Sequence, residues 1–423
     1  MPTLPPNVPM LLDGRPVEKI TAFLFAKGGH DDPHVLVANK NKSFQGSIVL
    51  GMGFTFDDSN PDATSIEEMH RLIEKDPRNA ERIFPYIGGE EVNSSPTHAH
   101  HRYVINFGEM SETEARQWKD LMAIVEEKVK PARLAQKREI RARYWWRFGE
   151  TTPALVRAIA ECDRVLVISR IGNAFAFTFL PSGVVYNEKI VVFPMSHSAP
   201  FCILQSRVHE AWTRFFSSTL KDDLQYTPSK CFETFPFPEN WETDPTLEAI
   251  GKTYYDYRAD LMVRNNQGLT DTYNRFHDPE ERDPDILHLR HLHEQMDRAV
   301  LAAYGWPDID TTCGFALDYL DTDDDLPPVA AERMASGDLF FPTADEAAAF
   351  DSLVRTGRRK LPWRYKWPEA THDEVLARLL DLNQQRHLEE VRGHKAAEQK
   401  AEGKKPKRGK SKPDAPTIPG MEV

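Results

Sequence analysis

Two consecutive Phe-Pro pairs, Phe235-Pro236 and Phe237-Pro238, constrain this chain more than any other short feature. Proline holds its own φ near about −65° and disfavours the helical region for the residue before it, so these four residues must run extended. They close a stretch, residues 193–241, that divides into three parts. The first reads as a long helix from about residue 200 to Leu220, with Val208, Trp212, Phe215 and Phe216 along it. A short polar segment follows, Leu220-Lys-Asp-Asp-Leu-Gln-Tyr226, and then the aromatic-proline run. The polar segment is expected to sit between two stiff elements, a suitable mounting for side chains that read a partner.

With 423 residues, 40% of them hydrophobic, the chain can build one large domain or two to three ordinary ones. No run of 18 or more apolar residues suggests a membrane span, and the proline-rich start, residues 1–10, lacks a signal-peptide pattern. Cys162, Cys202, Cys231 and Cys313 lie far apart with no CxxC pair, which points to a reduced, cytoplasmic protein without structural zinc. A net charge of −12 argues at first against nucleic acid, but the charge is uneven. Residues 95–240 hold 19 Lys+Arg against 16 Asp+Glu, so the acidity lies outside the middle of the chain.

Along the chain, Asp13-Gly14 marks a turn and the apolar run 20–25 suits a buried strand. Such a run reads as the end of a sheet with little before it to pair against, so a truncated chain or one half of a two-chain assembly is expected. Gly51-Met-Gly53 lacks the third glycine and the helix start of a nucleotide loop and reads as a structural turn. A helix opens at Ser65 and closes at Asp76-Pro77, and residues 102–107 read as a strand. His98, His100 and His101 lack metal-ligand spacing and fit a polar loop better than a metal site. Ser111-Glu-Thr-Glu114 is a capping box opening a helix with Trp118, Met122 and Val125 on its apolar stripe.

The most basic ordered segment follows Pro131. Arg133, Lys137, Arg138, Arg141, Arg143 and Arg147 face the single acid Glu139, with Tyr144-Trp145-Trp146 interleaved. Basic residues among aromatics suit a phosphate backbone. The alternative is a solvated helix face with Trp145 and Trp146 in the core, and for the two tryptophans that alternative is preferred.

Strands are expected at 165–169, 174–179 and 184–193. After Trp241 the composition turns acidic and helical, with a helix over 286–304 whose His288, His291 and His293 share no face, and a last helix over 373–392. Asp321-Thr-Asp-Asp-Asp325 lacks the glycine and terminal glutamate of a calcium loop. Residues 391–423 hold nine Lys+Arg against four acids, and from Gly393 the tail is expected to be disordered. The fold class is α/β (α+β). It comprises a remnant at 1–40, a mixed-sheet domain at 41–245, a mainly helical domain at 246–392 and the Lys-rich tail at 393–423.

No P-loop, Gly-x-Ser-x-Gly, His-Glu-x-x-His, nuclease or adenine-flipping Asn-Pro-Pro-Tyr element occurs, so catalysis by this chain alone is unsupported. The order of other elements is informative. Pro85-Tyr-Ile-Gly-Gly89 with Asn93 and Pro96 is followed by the strand at 102–107 and Tyr144-Trp-Trp146. Next come Ser206-x-x-His209-x-x-Trp212, Tyr226-Thr-Pro-Ser229 and Phe232-x-Thr-Phe-Pro-Phe-Pro238, and then Ala303-Tyr-Gly-Trp306. From about residue 17 to 392 this resembles the carboxy-terminal part of large bacterial adenine-specific DNA methyltransferases of the type II single-chain restriction-modification class, MmeI-like enzymes among them.

The resemblance implies a target recognition domain that reads DNA sequence for a methyltransferase core, within a restriction-modification or phage-defence system acting on adenine N6. Residues 17–40 resemble the last strands of that core, whose catalytic positions and S-adenosylmethionine site have no counterparts here. The implied partners are duplex DNA and a methyltransferase chain or domain. Ser206, His209, Trp212, Tyr226, Phe235, Pro236, Phe237 and Pro238 carry the motif. Base edges would be read from the polar segment, with Lys221 donating to guanine O6/N7 and Asp223 accepting from cytosine N4. The six basic residues of 131–147 and Arg170 would neutralise phosphates. A non-catalytic protein-interaction scaffold of a phage-defence complex is the alternative, favoured by the acidic carboxy-terminal half.

Overall fold

The computed structural model describes residues 10–12, 15–25, 31–172, 174–220, 223–317, 327–355 and 360–403. Val165, Leu166, Val167 and Ile168 are all buried, as an uninterrupted apolar run must be if its strand is covered on both faces. That strand, Arg164–Ser169, lies between Ile190–Phe193 and Phe177–Pro181 in an antiparallel four-stranded sheet, with Phe44–Gln45 at one edge. Val191 pairs with Ile168, and Leu166 with Phe179. Helix Gly89–Ser94 packs on Arg164–Ser169 and helix Ser198–Gln205 on Phe177–Pro181.

Every residue of Ser198–Gln205 is buried, and the helix lies along Pro245–Asn265. Gly251 permits this approach, since a Cβ there would stand 2.3 Å from the Ser198 carbonyl oxygen. Helix Pro245–Asn265 packs in turn on Pro284–Ala303. One hydrophobic core therefore runs from Phe25 through Phe193 and Tyr254 to Leu380, across position 245.

A second four-stranded sheet is mixed. Val185–Tyr186 pairs parallel with Ile83–Ile87, and Arg102–Ile105 and Thr55–Phe56 continue it antiparallel. Its core includes Phe54, Phe56, Val104, Met122, Val125, Trp145 and Trp146, so both tryptophans are packing residues. Helix Ile66–Lys75 is capped by Ser65, and helix Glu112–Ala115 by the Ser111–Glu114 box, as their sequences require.

Several expectations are corrected. Residues 20–25 form a turn, not a strand: Thr21 N donates to the Phe25 carbonyl, Phe25 N to Thr21 Oγ1, and Leu24 has φ 60. Phe23 and Phe25 pack on Phe215. The long helix expected to reach Leu220 is two helices, Ser198–Gln205 and Arg207–Phe216, because Ser206 is extended at φ −66, ψ 158 and turns its hydroxyl back to the Ile203 carbonyl. The carboxy-terminal half contains a three-stranded sheet of Phe340–Phe341, Gly314–Leu317 and Trp363–Lys366, in strands too short to show an alternating pattern. The last helix is Glu369–Gly403, longer than expected, since residues 394–402 are mostly Ala, Glu, Gln and Lys. The acidic segment 321–325 and tail residues 404–423 lie outside the described residues. Among the described residues no helix is long and apolar enough to cross a membrane.

Candidate nucleic-acid interface

Helix Arg207–Phe216 ends at Ser217, which is extended at φ −75, ψ 160. The chain then forms a β-hairpin: Ser218–Leu220 runs out and Asp223–Gln225 returns antiparallel, with Leu220 opposite Asp223. The polar segment thus contributes to two paired strands. The returning strand pairs with Ile171–Gly172, Leu224 opposite Gly172 and Gln225 opposite Ile171. Tyr226 N donates to the Arg170 carbonyl at 2.8 Å, which places the half-buried Arg170 directly beside the hairpin base. Leu224 is buried and roots the hairpin in the core. Of the two expected base readers, Asp223 begins the returning strand and Lys221 lies outside the described residues.

The motif residues behind the hairpin form a buried bracket. His209 and Trp212 are fully buried. His209 Nε2 meets the Tyr226 hydroxyl at 2.9 Å, and Trp212 Nε1 donates to Thr234 Oγ1 at 3.2 Å. Phe235 packs edge-on against His209, and Phe237 stacks on Trp241. Extended backbone at the Phe-Pro run leaves carbonyls that no helix or sheet uses, and other segments meet them. Asn39 Nδ2 donates to the carbonyls of Phe235 at 2.7 Å and Phe232 at 3.1 Å, and the Tyr304 hydroxyl donates to that of Pro236 at 3.0 Å. Asn383 Nδ2 donates to the Thr234 carbonyl at 2.6 Å and also to that of His34. The Phe-Pro run is therefore the joint that ties residues 34–39 and the last helix to the hairpin's supporting helix. Asn39, Thr234 and Asn383, which hold this joint, carry no signal in the sequence.

Burial holds His209 neutral, its pKa pushed down to about 3, and raises that of Tyr226 well above its ordinary value. His98 is likewise kept neutral: burial, with the charge of Arg258 nearby, lowers it to about 4. Its two ring nitrogens meet the Val92 carbonyl and Thr178 Oγ1, both at 2.9 Å, so it joins helix Gly89–Ser94 to strand Phe177–Pro181. Among the described residues no group of three His, Cys, Asp or Glu side chains could hold a metal.

The basic segment divides in two. Arg133 is 1% exposed, and its Nη2 donates to the carbonyls of Val49 at 3.0 Å and Arg147 at 3.1 Å. Burial lowers its pKa to about 10. Its guanidinium is enclosed in the fold, so the expectation that it meets phosphate is corrected. Arg147 is largely engaged too: it donates to the carbonyls of Met110 and Glu109 and lies 4.6 Å over the Tyr144 ring. Arg141 is mostly covered and stands 3.7 Å from Glu150. Lys137, Arg138 and Arg143 are exposed on the short helix Glu139–Arg143 and the turn before it.

Comparisons with known proteins agree with this layout. Residues 31–239 match the family model described as "MmeI, target recognition domain". The chain is 32% identical over 106 residues to "DNA methyltransferase A" of Bacillus subtilis (strain 168), covering 24% of this chain and 10% of that protein. A solved structure of the Type IIL restriction-modification enzyme MmeI in complex with DNA is similar at 18% identity and a TM-score of 0.47, over 79% of this chain and 39% of that one. The chain thus spans a minor part of the length of each. The family match encloses the hairpin, the bracket behind it and the basic segment.

Proposed function

We propose that this chain, whose residues 31–239 match the MmeI target recognition domain, is a DNA recognition module of a restriction-modification enzyme. The observation that carries the reading is the hairpin inside the matched region, backed by the buried His209–Tyr226 contact. A two-stranded β-ribbon is one of the elements that B-DNA's major groove admits. Lys221 and Asp223 would read a G·C pair, Lys221 donating to guanine and Asp223 accepting from cytosine. Lys137, Arg138 and Arg143, with Arg170 at the hairpin base, would set register on the phosphates.

Adenine N6 is the proposed target, methylated by a core that binds S-adenosylmethionine and is carried on another chain or an adjoining segment. Duplex DNA and that core are the proposed partners, in a restriction-modification or phage-defence setting. A gel shift on duplex DNA across a salt series tests the reading. Binding that weakens steeply with salt is expected, because neutralised phosphates release counterions. Failure to bind any duplex, alone or with the core, would overturn it in favour of a protein-interaction role.

A further inference from the structure

A cavity of about 340 Å³ lies between helix Arg207–Phe216, strand Trp363–Lys366 and the start of the last helix. It is within the ordinary range for small-molecule sites, roughly 300–1,000 Å³. Arg207, Arg214, Arg364 and Lys366 line it against the carboxylates of Glu210 and Glu369. Lining cations outnumber lining carboxylates, with Arg207 paired to Asp297 behind the wall, and the half-buried His277 registers the positive field: desolvation first, then Arg364, Arg214 and Arg207, keep its pKa well below normal.

Two lining donors are unmatched. Arg214 gives its Nε to Glu210 at 2.8 Å, but its Nη2 is buried with no partner among the described residues. Trp367 is 2% exposed, and its Nε1 is equally buried and unmatched. Both are donors, and a buried donor calls for an acceptor. Guanidinium forks suit phosphate oxygens, and Phe340, Tyr365 and Trp367 supply aromatic surface in the same walls.

We propose that this cavity binds a phosphate ester of mononucleotide size, its phosphate held by Arg214, Arg364 and Lys366 and its apolar part against the aromatic walls. The site is separate from the hairpin, but helix Arg207–Phe216 serves both. Arg207, Glu210, Ala211 and Arg214 line the cavity, while His209 bonds the hairpin strand.

The test is isothermal titration of the full chain with adenosine 5′-monophosphate, inorganic pyrophosphate and adenosine as probes. Saturable binding of the monophosphate is expected, with pyrophosphate also bound and adenosine weaker by about tenfold or more, the loss expected with the charged group. Lys366→Gln, at an exposed position, should weaken the monophosphate several-fold with an unchanged melting curve. Trp367→Phe, which removes the indole N–H and keeps a ring, should do the same. No binding of either phosphate at millimolar concentration, or affinity unchanged in both variants, would overturn the proposal. A gel shift of Lys366→Gln on duplex DNA separates the sources. Unchanged DNA affinity assigns the site to a free ester, and reduced affinity to a backbone phosphate. Because the titration contains no DNA, its failure leaves the recognition reading intact.

Discussion

His209 Nε2 and the Tyr226 hydroxyl lie 2.9 Å apart, with neither side chain more than 1% exposed. The pair joins the helix that leads into the hairpin to the strand that leaves it, so it governs how the hairpin stands on the core. The other ring nitrogen, Nδ1, is buried with no partner among the described residues, so Nε2 carries the polar contact.

Tyr226→Phe removes the hydroxyl and leaves the buried His209 Nε2 only the longer contact to Thr213 Oγ1, at 3.4 Å. The expected loss is about 1–3 kcal/mol of unfolding free energy, the cost of leaving one buried partner unsatisfied. Urea denaturation measures it, and an unchanged midpoint would show that the pair contributes nothing.

Stability should fall as pH drops below about 6.5, because His98 and His209 stay neutral in the fold down to about 4 and about 3 while the unfolded chain takes up protons. A depressed folded pKa means that the stabilisation is complete above 6.5 and disappears as pH approaches the folded value, at up to about 1.4 kcal/mol per unit for each histidine. Asp297, lifted by burial to about 6 despite Arg207 at 2.7 Å, works in the opposite sense between roughly 4 and 6. The informative quantity is therefore a difference. His98→Gln should show a flatter profile than the parent between pH 7 and 5, and two parallel profiles would refute the assignment.

The basic residues should separate by assay. Arg138→Ala should lower the slope of log affinity for duplex DNA against log salt by about 0.9, the value for one phosphate contact. Arg133→Met should leave that slope alone and destabilise the fold, because it strands the carbonyls of Val49 and Arg147. A salt slope that moved with Arg133 and not with Arg138 would reverse their roles.

Exchanging Lys221→Glu and Asp223→Arg, in the enzyme assembled with its methyltransferase core, should change the preferred base at one position. Each lost base contact is worth about 1–3 kcal/mol of discrimination. Site selection from a random duplex pool reads the outcome, and an identical preferred site would dispose of the base-reading assignment.

Much was legible in the sequence because it depends on neighbours in the chain. The Ser65 cap, the Ser111–Glu114 box, the strand Arg164–Ser169 and the extended Phe-Pro run follow from local sterics and short-range periodicity. The order of motifs that resembles MmeI-like enzymes was legible for the same reason. What a residue faces across the fold was not. Arg133 looks like any other arginine of a basic run until Val49, 84 positions away, presents a carbonyl to it. The apolar run 20–25 has the same composition as a buried strand, and only the packing of Phe23 and Phe25 on Phe215 shows it to be a turn. The helix break at Ser206 and the hairpin beyond it also belong to the tertiary structure. Arg207 N is bonded to Asp297, 90 positions on, and the returning strand takes its register from Ile171–Gly172. Sequence alone determined which segments are stiff and which family they resemble. The tertiary structure decided which charges face solvent, because exposure is set by contacts made far along the chain.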